Sequence, residues 1–454
     1  MADNISVAFN PSVVATIQDR TLQRMFRDAL FPRLLFRMEA NAELWAQNLG
    51  GSQTFTRRGL MKVRTRPTTP GQDPMPKTPQ TEQWDATAAQ WSDTVDTHMP
   101  TSYVTLASQY LSNMQALGMQ AGQSINRVVR DRIYNAYVSG NTVTDVAQTS
   151  GNSTIHVANL GGFTRKLYQG RPQLVSSTNP ISITIPAIAY AGQITGFTSD
   201  TSGDEVHGGT LTISPALGSN LAARSSVLSA NRTDLVYSGG GTSVDDITSS
   251  DTFTLGDVRS AIAKLRFNNI PTHEDGMYHF HVDPASVNQV FGDNEFQRLN
   301  QSLPEGIHYR EFVIKVMLNA AFYENNEVPY LTNCDTDTIN GATHGFEVTN
   351  AGGISVHRPI VTGQGVVEEK YLDESRYISE AGVMGKIGEF AVTNGGIQVM
   401  TERIRLIMRA PLDRLQQVTA SSWSISGDWP IPSDELAASS PATFKRAVVC
   451  IHGE

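Results

Sequence analysis

The amino-acid sequence predicts an α+β protein of several structural units, and three observations lead to this class. One segment repeats apolar residues at helical spacing over roughly 25 to 30 residues. Two other segments, 53–99 and 145–245, carry the alternation, β-branched residues and turn signals of strands. The chain has 454 residues, which is too long for one ordinary hydrophobic core.

Residues 1–46 are predicted to form an amphipathic arm with helical pieces, because short apolar pairs alternate with charged residues. Pro32 interrupts the pattern, so we expect a bend near Phe31. An ordinary first helical hairpin is the alternative. Phe26 and Phe31 are candidate contacts with a second copy of the chain.

Residues 47–100 are predicted to form a long two-stranded extension. Segment 53–66 alternates like a strand, 67–79 is rich in turn residues, and 81–99 alternates again. Each limb could extend about 80 Å at 3.3 Å per residue, whereas a compact chain of this size has a radius near 22 Å. An isolated hairpin is marginal in water, so we expect the extension to lie on a neighbouring copy.

The two limbs of this extension have opposite charge. Their ionisable residues are Arg57, Arg58, Lys62, Arg64 and Arg66 in the first limb and Glu82, Asp85, Asp93 and Asp96 in the second. These charges either pair across the hairpin or set the docking register on the next copy. A nucleic-acid strip is a weaker third interpretation, because the acidic limb would cancel much of its field. Trp84 and Trp91 complete the candidate contacts between copies.

Residues 101–144 contain the strongest helical pattern of the chain. Its apolar stripe consists of Leu111, Met114, Gly118, Ala121, Ile125, Val128, Val129, Arg132 and Ile133. Gly140 suits a left-handed C-terminal cap. We interpret the helix as the spine of a domain, and an ordinary core helix is the alternative.

Residues 145–245 are poor in charge and rich in Gly, Ser and Thr, with strand patterns at 181–198 and 208–219. They are predicted to form an inserted small β domain. A helix capped by Thr254 and Asp257 follows, then a strand at 277–284, a short helix over 286–299 and another near Glu311 to Phe322. The chain finishes with β-rich segments at 395–411 and 418–432.

Candidate catalytic and metal sites are weak. His279 and His281 alternate on the predicted strand, with Asp283 and His273 nearby, and a packed or solvated face is the stronger interpretation of this pattern. The glycine run at 239–241 lacks the Lys-Ser or Lys-Thr pair of a phosphate loop. Neither a GxSxG elbow nor a Cys/His nucleophile pair occurs. We therefore expect no catalytic, metal or cofactor site and no enzyme activity.

Composition limits the remaining possibilities. Charged residues make up 17% of the chain, against a usual share of about 25%, and a surface with few charges costs little to cover. The net charge of −9 argues against a protein that mainly grips nucleic acid. Cys334 and Cys450 lie far apart, so we expect no disulfide framework. We also expect neither a signal peptide nor a membrane span.

The order of these parts resembles the major capsid family of tailed bacteriophages, named for phage Hong Kong ninety-seven. In that family a helix, a strand, an Asp/Asn-Pro pair and a short helix open the axial domain, and Phe280 to Asp283, Pro284 and Val287 match this layout. Residues 403–430 resemble the terminal return into the family's peripheral domain.

The resemblance implies a self-assembling subunit of the icosahedral head shell around double-stranded DNA. It implies an arm at 1–46, an extended loop at 47–100, a peripheral domain with a spine helix at 101–144, an inserted β domain at 145–245, an axial domain at 246–400 and return strands at 401–454. The implied partners are other copies in hexamers and pentamers, a separate scaffolding protein, a portal and a possible decoration protein, but neither a membrane nor a specific DNA sequence. The implied location is the virion, after assembly in the bacterial host cytoplasm.

Two other functions compete with this interpretation. A β-rich phage or cell-surface adhesin, or a tail binding module, is favoured by the Ser/Thr-rich middle segment, but the long helix and the absence of repeats argue against it. A hydrolase with an unrecognised site would require a pocket lined by perturbed carboxylates.

Overall fold

The computed structural model describes most of the chain. The described residues are 21–30, 34–45, 50–58, 63–65, 67–71, 73, 76, 81–104, 109–168, 171–202, 207–230, 232–301, 314–329, 337–339, 342–344, 350–372, 385–387, 390–393, 396–401, 403–409, 415, 417–431 and 445–454. They divide into two compact units. Unit 1 consists of Met1–Gln53, Ala86–Val129 and Glu368–Pro430, and unit 2 of Thr54–Asp85, Arg130–Val367 and Ile431–Glu454.

Helices and strands alternate irregularly along the described residues, as expected for the α+β class. The helices are α1 (Thr21–Leu30), α2 (Met99–Val104), α3 (Gln109–Tyr137), α4 (Leu255–Phe267), α5 (Pro284–Gly292) and α6 (Asn294–Gln301). The strands of the first half are β1 (Ala40–Leu44), β2 (Ser52–Arg58), β3 (Thr81–Thr87), β4 (Ala89–His98), β5 (Asn141–Val143), β6 (Thr154–Asn159), β7 (Arg165–Tyr168), β8 (Arg171–Leu174), β9 (Ile181–Ile185), β10 (Tyr190–Ser199), β11 (His207–Ser214), β12 (Ser226–Ser229) and β13 (Val236–Tyr237). The remaining strands are β14 (Tyr278–Val282), β15 (Val316–Met317), β16 (Ala320–Glu324), β17 (Asp337–Ile339), β18 (Ala342–His344), β19 (Val356–His357), β20 (Ile360–Thr362), β21 (Val367–Tyr371), β22 (Gly385–Ile387), β23 (Phe390–Thr393), β24 (Gly396–Thr401), β25 (Ile404–Arg409), β26 (Val418–Asp428) and β27 (Ala447–Gly453).

The long helix α3 confirms the helical pattern of the sequence. Its 29 residues bury most of the predicted stripe, including Met114, Ala121 and Ile125, whereas Leu111, Val128 and Arg132 are half-buried. After the helix, Gly140 adopts a positive φ of 78° in a turn in which Asn141 N donates to Val138 O at 3.1 Å. Glycine permits this left-handed conformation at low cost.

Within unit 1, α1 lies against α3 at a glycine. A Cβ on Gly118 would come 2.6 Å from Phe26 O and 3.1 Å from Ala29 Cβ, so only glycine permits the two backbones to approach this closely. Phe26 and Leu30 of α1 are fully buried. The predicted bend near Phe31 lies outside the described residues.

The sheet of unit 1 joins the two ends of the sequence. Its strand order is β1-β21-β26-β25-β24-β23-β22, and β4 also pairs with β26. The antiparallel register of β4 and β26 runs from His98 opposite Val418 to Ala89 opposite Gly427. β26 is therefore an inner strand, and its Trp423 and Ile425 are buried.

Unit 2 contains two larger sheets, each with its own core. The first has the order β5-β12-β9-β10-β11-β6, and Ile181, Ile183 and Ile185 of β9 alternate into its core. The second has the order β13-β27-β20-β14-β16-β15, with β19 also paired to β27. Helices α4 and α5 contribute to the core of this second sheet through Val258, Ile262 and Val287, among other residues. The strands predicted at 181–198, 208–219 and 277–284 are confirmed.

Two predicted helices differ in the structure. The helix predicted near Glu311 to Phe322 is wrong for its described part, which forms β15 and β16 around a turn at Leu318 and Asn319, both with positive φ. Parallel pairing of β16 with β14 outweighs the local helical preference. The helix predicted over 286–299 is divided into α5 and α6, because Asp293 is extended and its carboxylate accepts from Glu295 N at 3.0 Å.

Among the described helices, none combines the length and the apolar character that a membrane crossing requires.

Candidate functional site

The first candidate site is the hairpin of β2 and β3, which is held together by polar side chains. Thr54 Oγ1 donates to Asp85 Oδ1 at 2.5 Å, and Gln83 Nε2 donates to Thr56 Oγ1 at 3.0 Å. At the base of the hairpin, Ala88 N donates to Gly51 O at 2.9 Å. A two-stranded ribbon with such partners is only marginally stable by itself, so the hairpin gains most from packing against another surface.

Trp84 provides the principal apolar contact within the hairpin. Its ring stacks on Phe55 with centroids 6.0 Å apart and planes 26° apart, and its side chain is 6% exposed. Trp84 was predicted as a contact between copies, and in the single chain it is already buried.

The hairpin continues along the chain into β4, whose side chains are mostly exposed. Asp93 and Asp96 lie exposed on this strand, and Gln120 Nε2 donates to Asp93 Oδ2. Within the part of the chain that the structure describes, β4 pairs only with β26, so no described strand covers its other edge. The acidic side chains reduce unspecific pairing at this edge.

The junction between β3 and β4 is fixed to the inner strand β26. Thr87 N donates to Asp428 Oδ2 at 2.9 Å, and the rings of Trp91 and Trp429 lie 4.9 Å apart at 55°. Trp429 is 1% exposed. The sequence suggested Trp91 as a candidate but gave no sign of Trp429, which lies more than 300 residues away in the sequence.

The other predicted contact residues are placed as follows. Arg64 is exposed and Phe26 is fully buried. Phe31, Lys62, Arg66 and the side chains of Arg57, Arg58 and Glu82 lie outside the described part. Whether the two charged limbs pair with each other or with a second copy therefore stays a prediction.

A buried ion pair anchors the segment between α1 and β1, and the sequence did not indicate it. Arg37 donates to both carboxylate oxygens of Glu369, with Nη2 2.6 Å from Oε1 and Nε 3.2 Å from Oε2. Arg403 Nη1 lies 3.2 Å from Glu369 Oε2 on the other side. The bidentate geometry gives Arg37 a fixed orientation.

A second unpredicted cluster lies in unit 2, where β19, β27 and the start of α5 meet. Asp283 caps α5 by accepting from Ser286 N at 3.3 Å, and Ser286 Oγ also contacts Asp283 Oδ1. Ser286 Oγ lies 2.6 Å from His452 Nε2. His357 bridges two carboxylates, with Nδ1 2.8 Å from Asp283 Oδ2 and Nε2 2.9 Å from Glu454 Oε2.

The two imidazoles of this cluster have opposite pKa shifts. Burial lowers the pKa of His452 to about 4, although the Asp283 carboxylate works in the other direction. Burial also opposes the charge on His357, but its hydrogen bond to Asp283 and the charges of Asp283 and Glu454 raise its pKa overall. Burial disfavours the ionised Asp283, yet the hydrogen bond and charge of His357 lower its pKa. The surroundings thus favour the charged form of His357 and the neutral form of His452.

Serine, histidine and aspartate are the residue types of a nucleophilic triad, but their arrangement here serves structure. Ser286 and His452 are fully buried and Asp283 is 1% exposed, so a substrate has no access to the hydroxyl. In a triad the carboxylate orients the histidine, whereas here Asp283 contacts Ser286 and His357. Side-chain N and O atoms of Asp283, His357 and His452 lie within 4.8 Å of one another, and the 2.6 Å separation of Ser286 Oγ from His452 Nε2 is that of a hydrogen bond.

The histidines that the sequence singled out lie on one face of β14, as predicted. His279 and His281 both contact the ring of Tyr323, at 5.0 and 5.7 Å between centroids. His273 stacks on His279 at 3.9 Å, and His279 Nε2 lies 3.0 Å from Asp275. Their described partners include aromatic rings, the Asp275 carboxylate and the hydroxyl of Thr362, which lies 3.3 Å from His273 Nε2, and the absence of a metal here stays a prediction.

Comparison with solved structures identifies the fold. A chain of the cyanophage Pam1 capsid asymmetric unit superposes with a TM-score of 0.50 at 11% identity, covering 94% of this chain and 92% of its own. The capsid of Ralstonia phage GP4 has a TM-score of 0.44 at 10% identity, covering 91% of this chain and 87% of its own. The capsid structure of cyanophage P-SCSP1u has a TM-score of 0.45 at 12% identity, covering 92% of this chain and 87% of its own.

No protein-family model matches the sequence, and no curated protein matches it. The likeness is therefore one of fold, over nearly the whole chain, at an identity that sequence comparison does not detect. The chain has the fold of the tailed-phage capsid proteins.

Proposed function

We propose that the protein is a major capsid protein, a subunit that assembles with copies of itself into the icosahedral head shell of a tailed phage. The observation that carries the proposal is the superposition on the Pam1 capsid chain over 94% of the sequence. A full-length match means that every large part of this chain has a counterpart in a shell subunit. The protein acts by repeated contact and has no catalytic role.

Each segment of the chain has its own role, with the bounds that the sequence pattern predicts. Residues 1–46 act as the arm, 47–100 as the extended loop, 101–144 as the spine, 145–245 as an inserted β domain, 246–400 as the axial domain and 401–454 as return strands. β13 pairs with β27, and β27 pairs with β20, so two strands from outside residues 246–400 extend the sheet of the proposed axial domain. Contacts between axial domains close hexamers and pentamers.

The hairpin of β2 and β3 and the open edge of β4 are the surfaces that suit contact with neighbouring copies. The hairpin is a two-stranded ribbon, which gains stability when a neighbour covers it. The exposed Asp93 and Asp96 of β4 present negative charge, and the Lys and Arg residues of the first hairpin limb present positive charge. Opposite charges at a rim set orientation and the rate of encounter more than affinity.

The partners beyond other copies follow from the same assignment. A separate scaffolding protein guides assembly in the bacterial host cytoplasm, a portal occupies one vertex, and a decoration protein is a further candidate. The net charge of −9 suits a wall that encloses DNA without binding a specific sequence. The final location is the virion.

Negative-stain electron microscopy with analytical sedimentation tests this function directly. The full chain is expressed alone and together with a candidate scaffolding protein encoded near it. We expect closed shells, tubes or capsomers in at least one condition. A monomer that persists under both conditions contradicts the proposal and favours a binding module such as an adhesin.

A further inference from the structure

The cluster of Asp283, Ser286, His357, His452 and Glu454 joins three separate parts of unit 2. Asp283 and Ser286 begin α5, His357 belongs to β19, and His452 and Glu454 belong to the last strand and the residue after it. A hydrogen bond from a side chain to the backbone supports the same junction, since Gln289 Nε2 of α5 donates to Gly453 O at 2.9 Å. The attachment of β27 to the first turn of α5 thus passes through titratable side chains.

The surroundings of His452 do not tolerate an additional charge. Its ring lies between two other rings, stacked on Phe253 at 5.3 Å and on His357 at 5.1 Å. The charged groups that face it are Asp283, through Ser286, and His357, which Glu454 contacts from the solvent side. Because the side chain is fully buried, an imidazolium at His452 would lack hydration, and the Asp283 carboxylate is already engaged by Ser286 and His357.

We infer that His452 makes the attachment of β27 to α5 acid-sensitive, so that weak acid loosens this junction before the rest of unit 2 unfolds. Protonation adds a proton to the neutral ring and breaks no covalent bond. The charged ring is stabilised in water and not in the core, so the open form gains population as the pH falls. This property concerns the single chain and is independent of shell formation.

The size and the direction of the effect follow from linkage. The unfolded pKa of histidine is about 6.5, and burial lowers the pKa of His452 to about 4. Stability from this group is therefore present above pH 6.5 and is lost as the pH falls towards 4. Between pH 6 and pH 4.5 the opening constant should rise about 20-fold. His357 acts in the opposite sense and mainly above this range, since its pKa is raised.

Hydrogen–deuterium exchange of the full-length dispersed chain tests the inference, with rates corrected for the intrinsic pH dependence of exchange. In the wild type we expect peptides covering β27 and α5 to lose about 20-fold of their protection between pH 6 and pH 4.5. The His452→Gln variant keeps an N–H donor for Ser286 but does not titrate, so its protection should stay nearly constant. The control His98→Gln removes an exposed histidine of unit 1 and should leave the wild-type profile unchanged.

Two outcomes would overturn the inference. If the exchange protection of the wild type does not change between pH 6 and pH 4.5, the junction is not acid-sensitive, whether or not the variants fold. One zinc ion bound per wild-type chain and lost in His452→Gln would show that the cluster is a metal site instead. If His452→Gln does not fold, Ser286→Ala replaces it. This variant should lower the exchange protection at every pH but must retain the wild-type dependence of protection on pH.

Discussion

Arg37 and Glu369 form a bidentate ion pair between side chains that are only 6% and 2% exposed, with a shortest N–O separation of 2.6 Å. They lie 332 positions apart in the sequence. The pair therefore fixes the segment after α1 to the strand β21 of unit 1. Breaking a buried pair by removing one partner is costly, because the other charge stays in the core.

Glu369→Gln should accordingly destabilise unit 1 by about 3 to 5 kcal/mol. The change keeps the shape of the side chain, so the loss reports on charge and not on packing. Urea unfolding followed by tryptophan fluorescence measures it, because Trp91, Trp423 and Trp429 all lie in unit 1.

The matched control for this prediction is Asp28→Asn. Asp28 forms an exposed pair with Arg27, at 3.7 Å with side chains 72% and 48% exposed. Surface pairs of this kind contribute little to the free energy of unfolding. A loss of stability in Asp28→Asn as large as that in Glu369→Gln would show that the loss does not come from burial of the Arg37–Glu369 pair.

Gly118→Ala should destabilise unit 1, although alanine is the better helix former by about 1 kcal/mol. The added Cβ would meet Phe26 O at 2.6 Å, and a backbone atom cannot move aside cheaply, so we expect a net loss of about 1 to 3 kcal/mol. Ala116→Gly, at an exposed position of the same helix, is the control and should cost about 1 kcal/mol. A gain of stability in Gly118→Ala would show that α1 does not contact α3 at this glycine.

Shortening the hairpin should separate folding from assembly. Thr54 faces Asp85 and Thr56 faces Gln83, so the same register brings Arg58 opposite Thr81. Replacing 59–80 by Asn-Gly therefore closes a two-residue hairpin. We expect an unchanged urea midpoint by fluorescence, and no shells by sedimentation and microscopy.

A variant that replaces 59–80 by a Gly/Ser segment of the same length is the control for loop length. If the short variant forms normal shells, the hairpin is not needed for contact between copies.

The stability of unit 2 should fall on the alkaline side through His357. The carboxylates of Asp283 and Glu454 outweigh burial and raise the pKa of His357, so its contribution is complete below an unfolded pKa of about 6.5 and is lost as the pH rises through the folded pKa. Urea unfolding followed by circular dichroism should show this decline above pH 6.5. The decline should disappear in His357→Gln, and a decline that persists would assign it to another group.

The sequence predicted features whose signal is local. The stripe from Leu111 to Ile133 predicted α3, and the pair of Thr254 and Asp257 predicted the capping box of α4, where Asp257 Oδ2 accepts from Thr254 N at 2.9 Å. The alternation of His279 and His281 was likewise enough to place both on one face.

Contacts between residues that lie far apart in the sequence could not be predicted from any local pattern. Nothing near Arg37 indicates Glu369, and nothing near His452 indicates Ser286, because these contacts arise only when the sheets close. The helix predicted near Phe322 was wrong for the same reason, since a strand that pairs with β14 contains residues that also suit a helix. Side chains that join strands hundreds of residues apart can be assigned only from the folded chain.

The pairing of β4 with β26 has a consequence for synthesis in the cell. Thr94 and Ser422, whose hydroxyls lie 2.8 Å apart across this pair, are separated by 328 positions. At about 5 to 20 residues per second, a ribosome needs roughly 16 to 66 s to make the intervening chain. During this time β4 has been translated and its partner does not yet exist. The nascent protein thus presents an unpaired strand for many seconds, which makes it a natural client for chaperones during translation.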